Sequence, residues 1–176
     1  FNRRPHSRAV FLWSFKMSIK SQGTRIYFVD RITTPATPVV SRLICPSSVS
    51  GVGGGATDQI DVTCLDATTE REFVSGLASP SAVSVPYNFD PRLVSHQLLN
   101  KLKATGDTIE WMICLSDGTA EPTLTAGVLT APTARTSVKF TAYVSENTIE
   151  VAQNDVVKGT LTLQRSGAET WVYKAV

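Results

Sequence analysis

Little in this chain invites catalysis. Its 176 residues include only two histidines and three cysteines. Cys45, Cys64 and Cys114 stand alone with no C-x-x-C pair, so neither a zinc site nor a redox pair is supported. Isolated cysteines in odd number fit a reducing interior, where the thiol packs as a small hydrophobe. Long apolar runs are missing as well. Runs such as Ala9 to Trp13 are far short of the ~20 residues that a membrane-spanning helix needs. There is no G-x-S-x-G elbow and no H-E-x-x-H pair.

A strongly basic face is also absent, although the formal charge of +2 hides this. Residues 1–16 carry Arg3, Arg4, Arg8 and Lys16 and no acid, whereas from Met17 onward 13 basic residues meet 15 acidic ones. A mildly acidic body does not indicate nucleic-acid binding. The segment 1–16 has the arginines and apolar run of a weak export signal but no A-x-A-like cleavage site. It reads as an upstream or disordered extension, with the domain itself spanning 17–176.

What is present is period-2 alternation, the mark of half-buried strands. Strands are expected at 24–30, 39–45, 59–63, 82–89, 108–115, 137–145 and 159–165, with 170–175 closing the chain as a short edge strand. In "TIEWMICL", Ile109, Trp111, Ile113 and Leu115 share one face and Glu110 and Met112 the other. "SDG" at 116–118 supplies a hairpin turn. One helix is expected between Asp90 as N-cap, Pro91 in the first turn and Gly106 just past the end. Its apolar stripe comprises Val94, Leu98 and Leu102 with Leu99 beside it, and His96, Asn100 and Lys103 point to solvent. A strand-rich chain with a single amphipathic helix implies a mainly β fold, a β-sandwich or barrel flanked by that helix.

"GVGGGA" at 51–56 matches a dinucleotide fingerprint in form alone. That fingerprint needs a helix after the glycines to receive the pyrophosphate, and here a strand follows. No cofactor, metal or catalytic group is expected. Asp58 with Asp61, and Glu70 with Glu72, read as solvated loop charges. The surrounding loop, 47–77, is long, polar and rich in small residues, so it gains little by packing on its own domain. Such a segment can become ordered against a neighbouring subunit.

The order of parts resembles a known family. "GTRIYFVD" leads through a loop to "DQIDVTCLDATTEREFVSGL", then to the helix "DPRLVSHQLLNKLKATGD", to "TIEWMICLSDGT" and to "FTAYVSENTIEVAQNDVVKGTLTLQRSG". This resembles the major tail tube proteins of lambda-type long-tailed bacteriophages over about residues 17–167. The resemblance implies a tail tube β-sandwich with one helix, joined side by side into six-membered rings. The rings stack into a conduit for viral DNA, located in the virion tail and assembled in the host cytoplasm. It implies identical subunits as partners, together with tape-measure and tip or terminator proteins, and no membrane. The loop then contacts the adjacent ring, through Gly51, Gly53, Gly54, Gly55, Asp58, Asp61, Asp66, Arg71, Glu72 and Phe73. Thr141, Thr160, Thr162 and Gln164 suit a lumen that does not hold phosphate, and Lys139 and Arg165 are the exceptions on those strands. Two readings stand beside it: a type VI secretion-like tube or another tail component, and a β-sandwich adhesin.

Overall fold

A computed structural model describes residues 18–175; the extension 1–16 lies outside the described residues. The strands are β1 (Arg25–Asp30), β2 (Val39–Leu43), β3 (Gly55–Asp61), β4 (Phe73–Pro80), β5 (Val83–Asn88), β6 (Ile109–Cys114), β7 (Thr123–Thr125), β8 (Val128–Thr130), β9 (Ser137–Glu150) and β10 (Lys158–Val172). One helix, α1 (Val94–Thr105), lies between β5 and β6. Six strands form an antiparallel sheet in the order β2-β1-β6-β9-β10-β5. The hairpins β3–β4 and β7–β8 stand outside it.

Alternation along the strands divides the sheet into two faces. Phe28, Val85, Trp111, Phe140, Leu161 and Leu163 point into the main core, which Leu98, Leu99 and Leu102 of α1 cover. Trp111 stacks at a tilt on Phe28, with ring centroids 5.0 Å apart, and its Nε1 donates to the Ala142 carbonyl at 3.2 Å. On the opposite face Tyr27, Val29, Met112 and Cys114 pack beneath Leu129 of the β7–β8 hairpin. Burial pushes the Cys114 thiol up to about 11, against a weaker pull from the Arg135 guanidinium.

The expected mainly β fold with one helix is present, but the sheet does not close into a barrel. Isolated bridges Pro46–Tyr87 and Ser50–Ser84 stitch the chain beyond β2 to β5 without forming a ladder. β10 also absorbs the expected terminal strand. Trp171 and Val172 pair with the start of β9 after an irregular stretch between Ser166 and Thr170. The turn at 116–118 does not make a tight hairpin, because segment 115–136 loops out to form β7–β8 before β9 returns to pair with β6.

The helix departs from expectation at its start. It begins at Val94, with Leu93 at the N-cap and no side-chain cap. Asp90 is occupied upstream, where its Oδ1 accepts from the Arg92 main chain at 3.0 Å and its main-chain N–H donates to His96 Nδ1 at 3.0 Å. His96 is therefore buried rather than solvent-facing; its Nε2 donates to the Ile44 carbonyl at 2.9 Å, which fixes the tautomer. Val94 is 63% exposed and leaves the stripe to Leu98, Leu99 and Leu102. Gly106 ends the helix as expected, at φ 69°, donating its N–H to the Leu102 carbonyl.

Candidate assembly surfaces

Residues 55–80 do not form a slack loop. They form the hairpin β3–β4, an arm that stands outside the main sheet. Gln59 pairs with Ser75, Ile60 with Val74 and Asp61 with Phe73, beyond an irregularity next to Asp58. β3 has seven residues, which at ~3.3 Å each make a strand of about 23 Å. Every residue of β3 is exposed. Beta-branched and aromatic residues at Ile60, Val62, Phe73 and Val74 favour the extended backbone, yet each remains about half exposed. Leu77 is 84% exposed, and Leu65 at the tip is fully so. Contiguous apolar exposure of this kind marks a contact surface.

The tip is organised by Asp61. Its Oδ1 accepts from the Thr63 hydroxyl and from the Thr63 main chain, at 2.9 Å for the latter, and these bonds hold its carboxyl below the usual range. Thr63 Oγ1 in turn accepts from the Glu72 N–H at 2.9 Å. Arg71 lies 4.0 Å from Asp61. Asp58, Asp66, Glu70 and Glu72 complete an arm with five acidic residues against Arg71 alone.

The glycines lie in and just below the neck. Gly51 has φ +83°, and a Cβ there would come within 2.1 Å of the Ala82 carbonyl oxygen. Gly55 begins β3 at φ +150°, and its Cβ would lie 2.7 Å from the Ser79 carbonyl oxygen. Two main chains cross here too closely for side chains. Gly53 and Gly54 take part in a bolt between neck and body. Arg165 donates from Nε to the Ser81 carbonyl at 3.1 Å, from Nη2 to the Gly54 carbonyl, and from Nη1 to Glu169 Oε2. The same Glu169 oxygen accepts from the Gly53 N–H at 3.1 Å, and Trp171 Nε1 donates to Oε1 at 3.2 Å. Gln164 Nε2 reaches the Pro80 carbonyl at 3.2 Å.

Arg165 thus continues the inward face of Leu161 and Leu163 and is buried, so it is not an exception on the outward face. The sequence carried a signal for it: a charge at a core position of an alternating strand demands a partner. Glu169, four residues on, was not singled out because an irregular backbone stretch separates the two in register.

Thr141, Thr160, Thr162 and Gln164 are half-buried on the other face of β9 and β10. Thr160 pairs with Thr148, Thr162 with Glu146 and Gln164 with Tyr143. Lys139 shares this face but presents no free charge. Its Nζ lies 3.0 Å from Glu110 Oε1 and donates to the Leu129 carbonyl. Among the described residues, no cluster of three or more His, Cys, Asp or Glu could hold a metal ion.

A family model described as phage tail tube, TTP, lambda-like, matches residues 17–175. The chain belongs to the lambda-like phage tail tube family. It is 35% identical over 162 residues to Structural protein 3 of Pseudomonas phage PAJU2, covering 89% of this chain and 95% of that one. Its fold is similar to that of the SPP1 tail tube at TM-score 0.61 and 12% identity, over 90% of this chain and 81% of that one. The tail of an empty gene transfer agent particle, refined with C6 symmetry, gives TM-score 0.62 and 12% identity, over 90% and 100%. As a tail tube family member, the chain is a structural protein of the phage tail, and the adhesin reading falls away.

Proposed function

We propose that this tail tube protein builds six-membered rings that stack into a DNA conduit, with the arm β3–β4 bridging one ring to the next. The observation that carries this reading is the arm itself: a paired hairpin that stands outside the main sheet, is bolted to the body and leaves Ile60, Val62, Leu65, Phe73, Val74 and Leu77 exposed. A head-to-tail contact between identical subunits closes into rings when the rotation allows, and repeated stacking of rings makes a tube. The outward face of β9 and β10 supports the conduit role, since its threonines and Gln164 offer phosphate no free cation and Lys139 is neutralised by Glu110. Tape-measure, tip and terminator proteins are the further partners in this reading, assembly takes place in the host cytoplasm, and no catalytic step is involved.

The test is to shorten the arm. Removing residues 60–74 and closing Gln59 to Ser75 with a two-residue turn leaves the neck and its bolt intact. The shortened chain is expected to remain a folded subunit by circular dichroism and to form no tubes in negative-stain micrographs. Tubes of ordinary length from that chain would remove the arm from the mechanism.

A further inference from the structure

The helix does not cover the whole of its face of the sheet. Where β1 begins and β6 and β10 end, a cavity of about 520 Å³ opens, and no residue of α1 lines it. Its floor is Ile26, Ile113 and Val138, which belong to the main core. Its walls include Trp171 and the half-buried Val49 and Val52. Residues 19–24 also line it, and Ile19 is 56% exposed there. A hollow of this kind favours an apolar occupant, which would take these surfaces out of water.

We propose that the apolar run Ala9–Phe15 of the same chain occupies this cavity. Three observations select it. The first is covalent. Ser18 is the first described residue, and Phe15 stands three residues before it, a reach of about 10 Å. A tether that short holds the run at an effective concentration on the order of millimolar, so a weak contact is enough. The second is composition. "AVFLWSF" brings Val10, Phe11, Leu12, Trp13 and Phe15 to an apolar hollow of a size that accepts such groups. The third is charge. Arg8 and Lys16 bracket the run, and the exposed, neutral Ser21, Gln22, Ser47 and Ser48 at the mouth leave both in water. Burying either cation unpaired would be costly.

The family match covers residues 17–175, so this contact does not follow from family membership. It is made within one subunit and does not depend on the tube. Its consequence is a brace at the arm's exit. Val52 lies between the neck glycines Gly51 and Gly53, and Trp171 donates to the Glu169 carboxylate that also accepts from the Gly53 N–H.

Methyl resonances of the full-length chain and of a chain starting at Met17, both dilute, test it. Removing residues 1–16 is expected to shift the signals of Val52, Ile113 and Val138 and to leave those of Leu98 and Leu99 under α1 unchanged. Tm should fall by about 3 °C. Phe11→Asp/Trp13→Asp keeps the chain length and is expected to give the same shifts. A synthetic peptide of residues 1–16, added to the shortened chain at roughly millimolar concentration, is expected to restore the original signals. The proposal is overturned if the Val52, Ile113 and Val138 signals are the same in all three chains. Shifts at these residues that grow with protein concentration in the full-length and shortened chains alike would place a second copy in the cavity, and would equally overturn it.

Discussion

Two regions of this molecule use the same strand chemistry to opposite ends. In the six-stranded sheet, alternation places Phe28, Trp111, Phe140 and Leu163 under α1, where almost no surface reaches water. In the arm, Ile60 and Val62 alternate in the same manner and Ile60 pairs with Val74, yet these residues, and Phe73 on the other face, stay about half exposed. Pattern alone therefore does not make a core; a second layer does. The body supplies its own second layer, and the arm has none among the described residues. Between them stands the bolt of Arg165 and Glu169, which holds an uncovered hairpin at a fixed exit from a covered one.

The contrast can be broken at three levels, taken from the strongest effect down. Trp111→Ala removes the largest buried side chain and should cost about 3–5 kcal/mol, measured by denaturant unfolding. An equally large loss from Phe73→Ala in the isolated subunit would show that the arm is part of the core after all. Arg165→Met should cost about 2 kcal/mol, less than a fully buried pair, because Glu169 keeps the Gly53 and Trp171 donors. Its main effect should be a loosened neck, read as faster proteolysis between residues 53 and 81, with tube yield falling. The Arg165→Met/Glu169→Met double variant separates the lost clamp from the stranded charge. If the double variant restores stability but not tubes, the bolt positions the arm.

The smallest effect is that of pH on the tip. The Asp61 carboxyl is held low by Thr63, so its folded value lies below its unfolded one. Its contribution is present above the unfolded value and is lost as pH falls through the folded one. Asp61→Asn should therefore flatten the acid-side loss of order at residues 61–72, followed by amide chemical shifts, while leaving the body's unfolding curve unchanged. A shift in the body's curve would mean that tip and core are not separate.

Much of the body was legible in the sequence, because half-burial imposes a period of two that local residues display. The core stripe of β6 and the Gly106 stop are examples. What escaped depends on contacts distant in sequence. His96 has a polar side chain at a helical position that local periodicity assigns to solvent. Only the packing of 44–45 and 87–90 around it supplies the partners that make burial tolerable. Asp90 had the right residue type for a cap but was already engaged by Arg92 and His96. The arm was read as polar and loose because its glycines and threonines dominate the local composition. Its pairing depends on Phe73–Pro80, strand residues that a turn of uncertain length separates from β3. The glycines proved to serve the neck, where main chains cross, rather than the reach of the arm.

The central claim is that an uncovered hairpin becomes covered only by assembly. Residue-resolved amide exchange, compared between dilute subunits and tubes, tests it most directly. The account predicts that Ile60, Val62, Phe73 and Val74 exchange much faster than Trp111 and Phe140 in the subunit, and slow sharply in the tube while the core pair changes little. Equal protection of the arm in both states would contradict it.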